Sequence, residues 1–103
     1  MRYLIVGLGN IGEKRQGLLR EQCVATVDPY RTEADYSSHL QVPADSYDAV
    51  VLATPNEVKL EYLSYFLSRG KHVLVEKPLL FSDAANARAL RALAEQRGAV
   101  WYT

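Results

Sequence analysis

The chain has 103 residues, room for one domain of ordinary size. Twelve basic and twelve acidic residues cancel, which removes the electrostatic case for nucleic acid or an anionic membrane surface as a partner. With 49% hydrophobic and 23% charged residues the composition is that of a folded core rather than of disorder, and no run approaches the ~18 apolar residues of a membrane span.

Tyr3 to Val6 form a short apolar run with two β-branched members, the pattern of a strand buried on both faces. The chain enters it directly, with no basic stretch, long apolar segment or small-residue cleavage site ahead of it, so a cytoplasmic location is expected. Gly7, Gly9 and Gly12 follow in the spacing G-x-G-x-x-G. In the mechanical reading of that spacing, the first glycine permits the tight turn out of the strand and the second lets backbone approach a pyrophosphate. The third lets the next helix pack closely on the sheet, with its N-terminal N–H groups aimed at the phosphates. Glycines also cluster in ordinary turns, but here they follow a strand, precede a helix and lie upstream of a suitably placed acid.

Glu13 to Glu21 read as a helix of about three turns, with Ile11, Leu18 and Leu19 as its expected core contacts and Gly17 as a local weakness. Cys23 stands alone, so it forms no internal disulfide and reads as a small buried side chain. Val24 to Asp28 predict a second strand, ended by Pro29. Asp28 lies 16 residues beyond Gly12 and 21 beyond Gly7, where the acid of a dinucleotide fold belongs. Its carboxylate can accept both hydroxyls of an adenosine ribose and would repel a 2′-phosphate, which predicts NAD(H) over NADP(H), although Arg31 is placed to reach such a phosphate. The competing reading is a turn-forming Asp-Pro pair.

Between Arg31 and Ser46, Ala34 to Tyr36 suggest a short edge strand among loop formers, and His39 reads as a surface residue rather than a metal ligand. Tyr47 to Thr54 give a nearly continuous apolar strand that stops at Thr54-Pro55-Asn56. Glu57 to Arg69 then carry helical periodicity until Gly70. Lys59 falls on the apolar arc of that helix, in the first turn, where the carboxyl end of the sheet would lie. It is either a substrate-side residue or a lysine that snorkels out of the helix end. Lys71 to Glu76 form another strand running into Lys77-Pro78, Ser82 can cap a helix from Asp83 to Arg97 that Gly98 ends, and Val100 to Thr103 begin a final strand. Strands are thus expected near 2–7, 24–28, 34–36, 48–53, 72–76 and 100–103. The alternation of strand and helix predicts a single-domain, three-layer α/β fold, a doubly wound parallel sheet of the Rossmann type in the order 3-2-1-4-5-6.

Glu76-Lys77-Pro78 is the second chemical signal. Proline fixes the turn after the lysine, and a lysine at the mouth of a cofactor crevice can hydrogen-bond a substrate hydroxyl as its proton leaves. By itself the pair would read as surface charges before a turn.

Taken together, Gly7-Leu-Gly-Asn-Ile-Gly12, Val27-Asp28, Ala53-Thr54-Pro55-Asn56 and Gly70-Lys-His-Val-Leu-Val-Glu-Lys-Pro78 resemble the glucose–fructose oxidoreductase and inositol dehydrogenase (Gfo/Idh/MocA) family. The resemblance implies that Gly7, Gly9, Asn10, Ile11 and Gly12 hold a pyrophosphate and Asp28 a ribose. It implies further that Thr54, Pro55 and Asn56 flank the nicotinamide, that Glu76 and Lys77 close on its ring, and that Lys77 is the catalytic lysine. Such enzymes transfer hydride to or from a hydroxyl-bearing carbon of a sugar or polyol. Lys59 and Arg15 stand where members often carry histidines. The family's second, larger domain, which binds substrate, has no counterpart in residues 1–103. Two expectations follow: a dinucleotide-binding chain inactive without that domain, or a stand-alone binding module. In either case a surface left uncovered near Trp101 and Tyr102 would favour a homo-oligomer.

Overall fold

A computed structural model describes residues 1–76 and 84–102. Its elements run β1 (Tyr3–Val6), α1 (Asn10–Leu19), β2 (Cys23–Val27), β3 (Ala49–Leu52), α2 (Asn56–Ser68), β4 (His72–Val75), α3 (Ala84–Arg97) and β5 (Trp101–Tyr102). All described strand pairs are parallel, in the spatial order β2-β1-β3-β4-β5. The chain steps from β1 outward to β2 in one direction and from β3 to β4 in the other. Right-handed crossovers therefore put α1 and α2 on opposite faces of the sheet, as in a doubly wound α/β fold.

The main core lies on the α2 and α3 side. Leu4, Val6, Val50, Leu52, Val73 and Val75 project from the strands onto Leu63, Phe66 and Leu67 of α2 and Leu90 and Ala94 of α3. Alternate residues such as Ile5 and Val51 are also buried and face the other way, which is why β1 and β3 read as continuous apolar runs. Gly70 and Gly98 close α2 and α3, each in the left-handed region.

Several expectations need correction. The strand placed at 34–36 is a single parallel bridge, Val27 to Tyr36, at the outer edge of β2. Asp35 takes the partner's place with its side chain: its carboxylate accepts from the Thr26 N–H at 2.9 Å and its own N–H donates to the Thr26 hydroxyl. One residue is left to pair. Ile11 and Leu18, expected in the core, are 43% and 72% exposed, and Gly12 is the buried residue of α1. The helix rests on its glycine side, so its two large apolar residues, seven positions apart, share the opposite face. Trp101, expected on an open face, is partly buried and packed on the main core.

His39 is half-buried rather than a surface residue, its ring edge-on to Tyr62 and Tyr65 with centroids 4.8 and 4.4 Å apart. The Cys23 thiol is half-buried and donates to the Ala25 carbonyl, and burial pushes its pKa up. Among the described residues no group of His, Cys, Asp and Glu is arranged to hold a metal, and no helix is long and apolar enough to cross a membrane.

Candidate functional site

The strands' carboxyl ends are tied edge to edge. The Gly7 N–H donates to the Val27 carbonyl at 2.7 Å, Ala53 to Val6 at 2.8 Å and Glu76 to Leu52 at 2.9 Å. Because the connections leave β1 and β3 in opposite directions, a crevice opens above these ends, where ligands of doubly wound folds sit. Its volume is about 700 Å³, and Gly7, Gly9, Asp28, Tyr30, Thr54 and Tyr62 are among the residues lining it. A depression of about 300 Å³ at the opposite end of the strands, lined by Tyr3, Ala49 and His72 among others, has no comparable glycine-rich turn.

The glycines of the turn are required for different reasons. Gly7 has φ +96°, and a Cβ there would stand 2.5 Å from the Ala53 carbonyl oxygen. A Cβ at Gly12 would stand 1.9 Å from the Gly7 carbonyl oxygen, so only glycine lets α1 descend this close to the turn. A Cβ at Gly9 would meet nothing within 4 Å. The protein itself makes no steric demand there, and the open space faces the crevice. No side chain caps the N-terminus of α1, which begins at Asn10 and Ile11, so its first-turn N–H groups are left for another acceptor.

Asp28 stands at the crevice edge just beyond β2. One carboxylate oxygen accepts from the Leu8 N–H and the other from the Tyr30 N–H, both at 2.8 Å. The residue therefore does form a turn, and it also ties the glycine loop to β2. A carboxylate offers about four acceptor positions, so capacity remains for hydroxyl donors. On the other wall, Thr54 and Pro55 lead into α2 at Asn56. The Thr54 hydroxyl oxygen is buried and has no hydrogen-bond partner in the structure. A buried hydroxyl without a partner costs free energy unless a ligand or water supplies one.

Glu76 gathers the remaining groups. Its carboxylate forms an ion pair with Arg15 of α1, and its carbonyl accepts from Lys59 of α2 at 2.5 Å. Lys59 is 2% exposed, so it does not snorkel to water, and burial lowers its pKa while the Glu76 charge opposes that shift. It is not among the residues that line the crevice. Sequence reasoning singled out Lys59, Glu76 and Arg15 separately, but their meeting depends on long-range packing that spacing does not reveal. Lys77 and Pro78 lie outside the described residues, as do Ser82 and Asp83.

The model of the GFO/IDH/MocA oxidoreductase family, NAD-binding Rossmann fold, matches residues 1–103. The chain belongs to this family. It is an NAD-binding Rossmann domain, and the empty space at Gly9, the uncapped helix start and the unpartnered Thr54 hydroxyl fit such a cofactor. The chain is 37% identical over 57 residues to the scyllo-inositol 2-dehydrogenase (NADP(+)) IolU of Bacillus subtilis, a match that covers 55% of this chain and 17% of that protein. Its fold is similar to D-galactose-1-dehydrogenase from Rhizobium etli, with TM-score 0.79 and 27% identity over 97% of this chain and 35% of that one. It is similar too to the WlbA (WbpB) dehydrogenase from Thermus thermophilus in complex with NAD and alpha-ketoglutarate, with TM-score 0.85 and 23% identity over all of this chain and 40% of that one. The family domain thus spans well under half of each of these proteins.

Proposed function

We propose that residues 1–103 are the cofactor-binding part of an oxidoreductase that moves hydride between nicotinamide C4 and a hydroxyl-bearing carbon of a sugar or polyol. The observation that carries this reading is the glycine-turned crevice at the switch point of the sheet, open at Gly9 and edged by Asp28 and the unpartnered Thr54 hydroxyl. The substrate class rests on the family and on the sugar and inositol dehydrogenases named above.

In this reading the nicotinamide ring, when bound, accepts or gives the hydride, and the chain's own residues orient it. Gly7, Gly9, Asn10, Ile11 and Gly12 present backbone to the diphosphate. Asp28 accepts ribose hydroxyls and disfavours a 2′-phosphate, so NAD(H) is preferred to NADP(H). Thr54, Pro55 and Asn56 flank the nicotinamide, and the family resemblance assigns Glu76, Lys77 and Pro78 to the cofactor as well. Lys77 holds the reacting hydroxyl and stabilises charge as its proton departs. These residues supply one wall of a reaction site. By themselves they bind cofactor without turnover, because nothing in them holds a substrate carbon against the ring. We place the chain in the cytoplasm and expect it to self-associate through an uncovered apolar surface.

The test incubates the purified chain with NAD⁺ and a panel of sugars and polyols, following reduced-cofactor absorbance, with NADH and NADPH affinities measured by calorimetry and mass by light scattering. The reading expects NADH to bind more tightly than NADPH, no steady turnover and a mass above that of a monomer. Absence of NADH binding overturns it. Turnover abolished by Lys77→Ala overturns the inactive-domain part, and a concentration-independent monomer overturns self-association.

A further inference from the structure

The crevice extends beyond Gly9, Asp28 and Thr54. Tyr30 and Arg31 line it from the turn after β2, and Val58 and Tyr62 line it from α2. In the sheet β2 and β3 lie on either side of β1, so the turn that leaves β2 and the helix that leaves β3 reach the crevice from opposite sides. Each side contributes a tyrosine. Burial and then the charge of Glu61 push the Tyr62 pKa up, and the charges of Asp28 and Tyr30 add to the rise, so the two sides lie within electrostatic reach of each other.

The two tyrosines differ in how they are held. Tyr62 is half-buried, and its ring is already fixed by neighbours. His39 meets it edge-on with centroids 4.8 Å apart, and Phe66 lies near-parallel at 6.5 Å with 20° between the planes. Val58, one turn earlier on α2, shares its side of the helix. Tyr30 has a fixed backbone, its N–H donating to the Asp28 carboxylate at 2.8 Å, but its side chain is 91% exposed. A standing aromatic wall and an exposed ring on the opposite lip suit a flat aromatic group. With a diphosphate at Gly9 and a ribose at Asp28, the next group along a dinucleotide is the adenine base.

We propose, resting on the cofactor reading above, that Tyr62 is a base-binding residue: its ring forms the standing wall against which adenine lies, and Tyr30 covers the base from the opposite lip. Because His39 and Phe66 fix the Tyr62 ring before the ligand arrives, little side-chain freedom is lost on that wall when the base binds. Stacking of this kind depends on the π-face offered, so a purine gains more from it than a pyrimidine.

The experiment titrates NADH, and the reduced dinucleotide in which cytosine replaces adenine, into the wild-type chain, Tyr62→Leu, Tyr62→Phe and Tyr30→Ala by calorimetry, with a thermal melt of each variant. The wild-type chain is expected to bind NADH about fivefold or more tightly than the cytosine analogue. Tyr62→Leu weakens NADH by about tenfold and brings the two dinucleotides within about twofold of each other, whereas Tyr62→Phe keeps the ring and stays within about twofold of wild type. Tyr30→Ala leaves the melt unchanged and weakens NADH by about threefold or more, since its side chain packs on nothing in the free protein. A merely structural role for Tyr62 would weaken both dinucleotides equally. Equal losses, wild-type NADH affinity in Tyr62→Leu, or a tenfold loss in Tyr62→Phe overturns the proposal. If Tyr62→Leu does not fold, Tyr30→Ala decides, and an unchanged NADH affinity there overturns it. A wild-type chain that binds NADH and its cytosine analogue equally overturns the base-binding role alone; one that binds neither overturns the cofactor reading and this role with it.

Discussion

Alanine at Gly9 and at Gly12 should separate binding from folding, although the two glycines are three residues apart in one motif. At Gly12 the added methyl carbon would lie 1.9 Å from the Gly7 carbonyl oxygen, and that neighbour is backbone at the start of a tight turn. It must move by more than about 1 Å to reach ordinary contact, so the cost belongs at or above the upper end of the overpacking range, roughly 3 kcal/mol. For a domain of this size that lowers the unfolding midpoint by roughly 12–24 °C. At Gly9 the methyl meets nothing within 4 Å, and φ is −78°, which alanine adopts freely. Gly9→Ala should leave stability unchanged or raise it by about 0.4–1 kcal/mol through a less flexible unfolded chain. It should nevertheless weaken NADH at least about thirtyfold, roughly 2 kcal/mol, because the methyl fills the space a diphosphate would enter. Circular-dichroism melts and NADH titrations on both variants suffice. Wild-type affinity in Gly9→Ala would refute the placement of the diphosphate, and a wild-type melt in Gly12→Ala would refute the packing argument.

Asp28→Ala should weaken NADH more than NADPH when both are titrated, and it should also lower stability by about 1 kcal/mol, since the part-buried Leu8 N–H loses its acceptor. Asp28→Asn keeps an acceptor, so recovery of stability without recovery of NADH preference separates the two roles. His39, among the rings of Tyr62, Tyr65 and Phe66, has its pKa lowered from 6.5, first by burial, with Arg69 adding to the shift and Glu61 opposing it. The unfolded chain then binds the proton more tightly, so this contribution to stability is full above pH 6.5 and is lost as pH falls from there through the depressed folded value. Urea melts at pH 7.5 and 5.5 should show that loss, and His39→Gln should flatten it; an equal slope in the variant refutes the assignment.

The legible parts of the chain were those where one local rule decides. Parallel pairing, the three-glycine turn and the ends of α2 and α3 at Gly70 and Gly98 follow from apolar runs and turn chemistry that spacing reports directly. The 34–36 segment failed because a side chain competed with the backbone: Asp35 occupies the Thr26 N–H that a third strand would have taken. Ile11 and Leu18 failed because apolar identity does not say which side of a helix meets the sheet, and the Gly12 contact had already decided that. At the site, individual residues were visible but their partners were not. Nothing in the separation of 61 positions between Arg15 and Glu76, or 17 between Lys59 and Glu76, announces that both meet one glutamate.

These two outcomes are connected through the way α1 is held. The α2 and α3 face carries the large buried side chains, whereas α1 buries only its glycine and turns Ile11 and Leu18 to the outside. Hydrophobic burial therefore contributes little to fixing the helix that begins just after Gly9 at the crevice. What fixes it is one close backbone approach and two polar contacts: the Gly7–Gly12 approach, the Asp28 bond to the Leu8 N–H, and the Arg15 pair with Glu76. An element anchored this way is stabilised most by a ligand that adds contacts at its free end. By linkage, cofactor at a hundredfold its dissociation constant adds about 2.7 kcal/mol to the stability of the whole domain. If binding at the α1 N-terminus is the source, amide protection should rise first in Gly9 to Glu13 and in Leu8. Protection that rises only in α2 and α3, with those amides unchanged, would place the ligand on a different face of the sheet.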